Sequence, residues 1–272
     1  MSAGESLRVN LVGGFIMLLA VDIGNTNIVF GCVDENDKVL ILERISTNHN
    51  ATSAEYASLM KNILEMNNFS ISDIDDAVMS SVVPSVTTTV RDAIRKLFKT
   101  DVMIAGPGVK TGLNILIDNP AQLGSDQAVD AVAAINEYPV PLIIIDMGTA
   151  TTVSVVDSNK NYRGGLIMTG MKIAADALTA KTAQLPKVNF EAPEKIIGTN
   201  TIDCLKSGML YSNACALDGI IERIEEELGE KCTAVATGGL SELVVPLCKR
   251  EIIHDSSLLI KGLSIIYRKN KK

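Results

Sequence analysis

The sequence predicts a duplicated α/β fold, with mixed sheets flanked by helices, and three observations lead there. Two apolar runs, Met17-Leu-Leu-Ala-Val21 and Leu142-Ile-Ile-Ile145, each end in an aspartate and a tight glycine turn. The turns are Asp22-Ile-Gly-Asn-Thr-Asn27 and Asp146-Met-Gly-Thr-Ala-Thr-Thr152. Behind each turn, extended and helical patterns follow in the same order. The third observation is length: 272 residues suffice for one large domain or two of ordinary size, with ample core in either case.

In the first half, residues 17–33 read as strand, turn and strand. Val39 to Ile45 forms a third strand after the hairpin signal Asp34-Glu-Asn-Asp37. Ser53 to Met66 has helical spacing at Tyr56, Leu59, Met60, Ile63 and Leu64. Asp76 to Val83 is a strand stopped by Pro84, Val86 to Phe98 an amphipathic helix, and Val102 to Ala105 a strand. An alanine-rich helix over 128–134 follows Gly124-Ser-Asp-Gln127, and Glu137-Tyr-Pro-Val-Pro141 is a proline-stiffened connector.

The second half repeats the order. Leu142 to Ile145, Thr152 to Val156 and Leu166 to Thr169 are strands; Ile173 to Lys181 and Cys204 to Leu228 are helices. Cys232 to Ala236 is a strand feeding Thr237-Gly-Gly239. Ser241 to Cys248 opens a helix, Ile252 to His254 is a short strand, and Leu258 to Tyr267 closes the chain as a helix.

Composition excludes several classes. Hydrophobic residues make up 47% and charged residues 21%, the balance of a globular chain, not a disordered one. The formal charge of −7 argues against a nucleic-acid binder, whose phosphate contacts need a basic face. No stretch reaches the roughly 18 to 20 apolar residues of a membrane span. The five cysteines form no C-x-x-C pair and have no histidine at zinc spacing, so a reducing cytoplasm is the expected setting. The apolar segment from Leu11 to Val21 also supplies the first core strand, so cleavage as a signal peptide would destroy the turn at Asp22. Met17 is the expected start, and residues 1–16 an expected non-native extension.

The two turns carry the chemistry. A strand ending in an acid and turning through glycine offers backbone N–H groups and hydroxyls to an anion, while the aspartate holds a cation or water beside it. Alone, the Asp22 turn also fits an ordinary hairpin, since Gly-Asn is a favoured turn dipeptide. The second copy changes the balance, because Thr149, Thr151 and Thr152 after a buried strand suit phosphate oxygens better than core packing. Two such turns clamping one polyphosphate point to a phosphotransferase. Thr237-Gly-Gly239 admits either close approach of a base or ribose, or a plain strand-to-helix turn capped by Ser241. Asp126, at a helix start, either favours the positive end of the dipole or serves as general base. The histidines are His49 and His254, neither in a site-like context, so a carboxylate is the better base. The phosphate-loop lysine motif G-x-x-x-x-G-K-[ST] is absent.

With these motifs the chain resembles the type III pantothenate kinases, of the acetate and sugar kinase, heat-shock chaperone and actin superfamily. The resemblance runs from Met17 to about Tyr267. Besides the two turns it covers Ser80-Ser-Val-Val-Pro84, Lys110-Thr-Gly-Leu-Asn114, Asp118-Asn-Pro120, Thr182-Ala-Gln-Leu-Pro186, Gly198-x-Asn-Thr201, Ser207-Gly208, Thr237-Gly-Gly-Leu240 and Lys261-Gly-Leu263. It implies two ribonuclease-H-like (actin-like ATPase) domains, 17–138 and 139–272, with mixed five-stranded sheets. It also implies a homodimer that transfers the γ-phosphoryl group of ATP to pantothenate, the first step toward coenzyme A.

Carried over by position, Asp22, Ile23, Gly24, Asn25, Thr26, Asn27, Ile28 and Val29 would meet the ATP phosphates, with Asp22 at the Mg2+ ion. Asp146 would hold a monovalent cation, K+ or NH4+, and Thr149 would touch ATP. Asp126 would accept the proton of the attacking hydroxyl. Ile117, Gly124, Ser125, Asp126 and Gln127 would face the substrate, joined by Thr182 from the neighbouring subunit. The family pattern Gly-Ala-Asp-Arg here reads Gly124-Ser-Asp-Gln127, a tyrosine before Asp-Asn-Pro is Ile117, Thr-Glu-Asp-Glu is Thr52-Ser-Ala-Glu55, and a proline is Thr169. These changes keep two alternatives open: a paralogue phosphorylating another small hydroxylated molecule, and a catalytically weakened nucleotide-binding regulator.

Overall fold

The computed structural model describes residues 17–106 and 108–271. The expected extension, residues 1–16, lies outside them. The chain opens with an antiparallel meander, β1 (Met17–Ile23), β2 (Asn27–Val33) and β3 (Val39–Ser46). Next come α1 (Ser53–Met66), β4 (Ile74–Ser81), α2 (Pro84–Phe98) and β5 (Val102–Ile104). β4 pairs parallel to β1 and β5 parallel to β4, giving the order β3-β2-β1-β4-β5. Local chemistry marks the helix starts. Thr52 and Glu55 form a reciprocal capping box on α1. Pro84, whose missing N–H is no loss there, opens α2.

After β6 (Asn114–Ile115) and α3 (Ser125–Glu137) the plan repeats. The strands β7 (Leu142–Met147), β8 (Ala150–Val156) and β9 (Asn161–Thr169) form a second meander. They are followed by α4 (Met171–Lys181), α5 (Thr201–Leu228) and β10 (Thr233–Thr237), the last parallel to β7. A short α6 (Ser241–Val244), β11 (Ile253–His254) and α7 (Leu258–Asn270) complete the chain. The second sheet has the order β11-β10-β7-β8-β9-β6. Six strands stand where five were expected, because β6, two residues from the first half, pairs parallel to β9. So short a strand leaves no periodicity to read. The helix expected over 241–248 breaks into α6 and a 3-10 turn, Val245–Leu247, at Pro246.

Helices cover both faces of the sheets, which is why β1 and β7 are apolar along nearly their whole length. One core lies between the first sheet and α1 and α2, and another between the second sheet and α4 to α6. On the inner faces, α3 and α7 pack against each other between the sheets. Ile260, Leu263 and Ile266 of α7 join the core of the first sheet, while Ala131, Ala133 and Ala134 of α3 join that of the second. The closing helix thus covers the sheet of the opposite half. Gly262 permits this crossing, since a Cβ there would lie 2.2 Å from the Val129 carbonyl oxygen.

Candidate active site

The β1–β2 and β7–β8 turns meet across a cleft between the two sheets. Thr26 Oγ1 and Thr149 Oγ1 lie 2.8 Å apart, although 123 residues separate them. The first turn is pinned by Thr47, whose hydroxyl donates to the Gly24 carbonyl at 2.6 Å and whose N–H donates to the Thr26 carbonyl at 2.9 Å. Gly24, Asn25, Thr26 and Asn27 line the cleft from one side, and Gly148 and Thr149 from the other. Asn25 is exposed. Ile23 and Ile28 send their side chains into the core beneath, so only their backbone can serve a ligand. Val29 lines the cleft and also packs on the α3–α7 core.

Three carboxylates, Asp22, Asp126 and Asp146, share this cleft. Ser80 donates a hydrogen bond to Asp22 Oδ1. Burial nevertheless pushes the Asp22 carboxyl up to about 7, with help from Asp126 and Asp146 and partial relief from Ser80 and Arg44. Asp146 is likewise raised to about 7 by burial and then by Asp126, with Arg44 opposing. One turn beyond Asp126 on α3, Asp130 is buried, and its Oδ1 has no hydrogen-bond partner. Burial, then the negative charges of Asp146, Asp126, Asp22 and Asp255, hold it well above the carboxylate range.

Such a floor is deficient in positive charge and fits a cation. Hard oxygen donors suit Mg2+, which binds through one or two carboxylates together with substrate phosphates and waters. Among the described residues, no group of three or more acids, histidines or cysteines could hold a metal ion by itself.

The third wall is the β10 turn, Thr237-Gly238-Gly239. Gly238 has φ +90°, and a Cβ there would fall 2.5 Å from Asp146 Oδ1 and 2.6 Å from the Met147 backbone. Glycine is required on both counts. Both readings of this turn stand: it lines the cleft, and it leads into α6 at Ser241, whose hydroxyl donates to the Gly238 carbonyl at 2.7 Å.

The acceptor-side residues spread further. Gly124 caps α3 and Asp126 lies in its first turn, with Oδ1 accepting from the Gln127 N–H at 2.9 Å. Ser125 Oγ points at the Ser81 carbonyl, 3.5 Å away. Gln127 Nε2 lies 3.5 Å from Ser154 Oγ, itself 3.0 Å from the Tyr162 hydroxyl. Ile117 packs with the apolar cluster that includes Tyr162 and Leu123. Thr182 is exposed at the end of α4, its hydroxyl bonded to the Leu178 carbonyl at 2.8 Å. Of the residues expected to face the substrate, Asp126 alone lines the cleft of its own chain; Ile117, Gly124, Ser125, Gln127 and Thr182 do not.

Two groups at the site escaped sequence reasoning. Asp130 follows Asp126 by four residues inside an Ala/Val run, and that i, i+4 spacing was the available signal. Arg44 lies on β3 opposite Val29, which in turn faces Asp22 on β1. A register irregularity at Cys32/Val33 hides this alignment from simple counting back from the hairpin.

Comparisons with known proteins identify the family. The profile of the family described as type III pantothenate kinase matches residues 18–223. A type III pantothenate kinase of an Exiguobacterium strain is 40% identical over 256 residues, covering 94% of this chain and 100% of that protein. The one from Halalkalibacterium halodurans is 39% identical over 254 residues, with 93% and 100% covered. Among solved structures, component A of the (R)-2-hydroxyglutaryl-CoA dehydratase of Acidaminococcus fermentans superposes with TM-score 0.55 at 16% identity, covering 93% of this chain and 97% of that one. That last likeness bears on the fold alone. A match this long and continuous, over a chain whose two glycine turns close on one acidic cleft, places the protein in the type III pantothenate kinase family.

Proposed function

We propose that the protein transfers the γ-phosphoryl group of ATP to the primary hydroxyl of pantothenate, the first step of coenzyme A biosynthesis. The observation that carries this reading is the Thr26–Thr149 contact. It brings two anion-binding turns from separate sheets to one point, with Asp22, Asp146 and Asp126 around it. Phosphoryl transfer needs positioning and charge neutralisation more than covalent chemistry from the protein. The turns hold the triphosphate between them, and the β10 turn receives the nucleoside. Asp126 takes the proton as the hydroxyl oxygen bonds to the γ-phosphorus, and the bond to the bridging β–γ oxygen breaks to release ADP. Asp22 would hold Mg2+ and Asp146 a monovalent cation, whose charge offsets that of the phosphates and of these acids.

The acceptor pocket is completed, in this reading, by a second copy of the chain. The exposed apolar residues Ile167, Ile173, Leu178 and Ile202, on and around α4, give such a copy a surface. They bring Thr182 into reach of the neighbouring pocket. No helix among the described residues is long and apolar enough to cross a membrane, and we place the reaction in the cytoplasm. A second reading, phosphorylation of another small alcohol, is favoured by Gln127 and Ile117, which stand where the family has arginine and tyrosine.

The test is ADP release from purified protein with ATP, Mg2+ and K+, with pantothenate offered. Turnover with pantothenate is expected, and it should slow when Na+ replaces K+. No turnover with pantothenate, in the wild type and after Gln127→Arg, removes the proposal. Turnover on other small hydroxylated acids would then establish the second reading.

A further inference from the structure

A triphosphate carries several negative charges, yet the cleft described above is itself acidic. Arg44 is the single lysine or arginine among the described residues lining it. It is exposed there, on the third strand of the first sheet. Across the cleft, a Cβ built on Gly239 would lie 2.1 Å from Arg44 Nη1, so the guanidinium rests against the β10 turn of the other sheet. It therefore stands between the nucleoside wall and the two phosphate turns. The ladder Arg44–Val29–Asp22 sets it level with the floor of the cleft.

We infer that Arg44 is the fixed cation that receives the polyphosphate tail of the nucleotide. Its guanidinium donates to phosphate oxygens entering between the Thr26 and Thr149 turns. This deepens the kinase reading and rests on it. A phosphate-loop lysine is absent from the sequence, and among the described residues lining the cleft Arg44 is the one that adds a fixed cationic side chain to the charge of bound metal ions. Arginine suits the role because its planar fork meets two phosphate oxygens at once, which an ammonium does not. The negative charges of Asp22 and Asp146 draw the side chain toward the cleft. An arriving phosphate is the stronger partner, being more highly charged and aligned with the fork.

The alternative role for Arg44 is a structural latch between the sheets, and a ligand series separates the two. Calorimetry in Mg2+ would compare adenosine, ADP and a non-hydrolysable ATP analogue on wild type, Arg44→Gln and Arg44→Lys, with ligand-free melting recorded for each. Losing a charge-assisted bond should weaken ADP and the analogue by about tenfold or more. Adenosine should bind all three proteins alike. Arg44→Lys should fall between the others, and because it keeps a positive charge near Asp22 and Asp146 its ligand-free melting point should stay close to that of the wild type. Equal weakening of adenosine and the analogue, or no weakening of either, overturns the inference. Failure of the wild type itself to bind the analogue removes the kinase reading, and this inference with it.

Discussion

Asp22 and Asp146 occupy corresponding points of the two repeats. Each ends the central strand of its sheet, and each faces a hydroxyl residue on the parallel neighbour: Ser80 opposite Asp22 and Thr237 opposite Asp146. Duplication has thus placed two acids face to face in one cleft, where burial makes their charged forms costly. Carboxylates in such a place destabilise the empty protein and become favourable once a cation joins them.

A pH dependence follows from that pair. Unfolded, both aspartates titrate near 4; folded, they titrate at about 7. Between those values the folded protein retains protons that the unfolded chain has released. The stability of the ligand-free protein therefore falls as pH rises from about 4 to about 7, then levels off as far as these groups are concerned. Affinity for Mg2+-nucleotide should run the opposite way, rising to a plateau above 7. Melting curves across this range, with Asp22→Asn as control, check the sign. The variant should show a shallower decline, and an equally steep one would exclude Asp22 as a source.

Asp126 should separate chemistry from binding. We expect Asp126→Asn to lower kcat by roughly 100-fold or more, the usual contribution of a positioned general base. Nucleotide affinity should hold. Removing this charge also relieves Asp146, which it raises, so the ligand-free variant should melt higher at pH 8. Unchanged kcat would assign the proton to another acceptor.

Gly238 offers a test of the cleft wall. Gly238→Ala adds a methyl group where Asp146 Oδ1 and the Met147 backbone already stand, at a φ that disfavours a side chain. The cost should be about 1–3 kcal/mol for the backbone conformation alone, with the clash adding to it. Chemical denaturation measures it. A fully stable variant with normal nucleotide affinity would place the turn outside the site.

Most of the fold was legible because its signals are local. The apolar runs of β1 and β7, the turn glycines and the 3.6-residue spacing of α1 each sit within a dozen residues. The acid-glycine-threonine pattern pointed to a phosphate clamp because it occurs twice. What stayed hidden depends on distant pairing. β6 exists only through β9, and Arg44 reaches the cleft only through a strand register that a bulge displaces. The upward push on the Asp130 carboxyl arises only once α3 is enclosed between two sheets. The crossing of α7 onto the opposite sheet rests on packing against α3, which no spacing in either helix declares.

The acceptor side carries the last prediction. Gln127 approaches Ser154, and through it Tyr162, with an uncharged amide, where the family pattern has arginine. Pantothenate carries a carboxylate, and a charge-assisted bond is worth about 1.5–3 kcal/mol against about 1 for a neutral one. Gln127→Arg should therefore lower KM for pantothenate by up to about tenfold, while KM for ATP stays fixed because Gln127 is not among the residues lining the nucleotide cleft. Initial rates with each substrate varied in turn give both constants. Should KM for ATP move instead, Gln127 would belong to the nucleotide side. Should neither move, this chain holds its acceptor by contacts other than the first turn of α3.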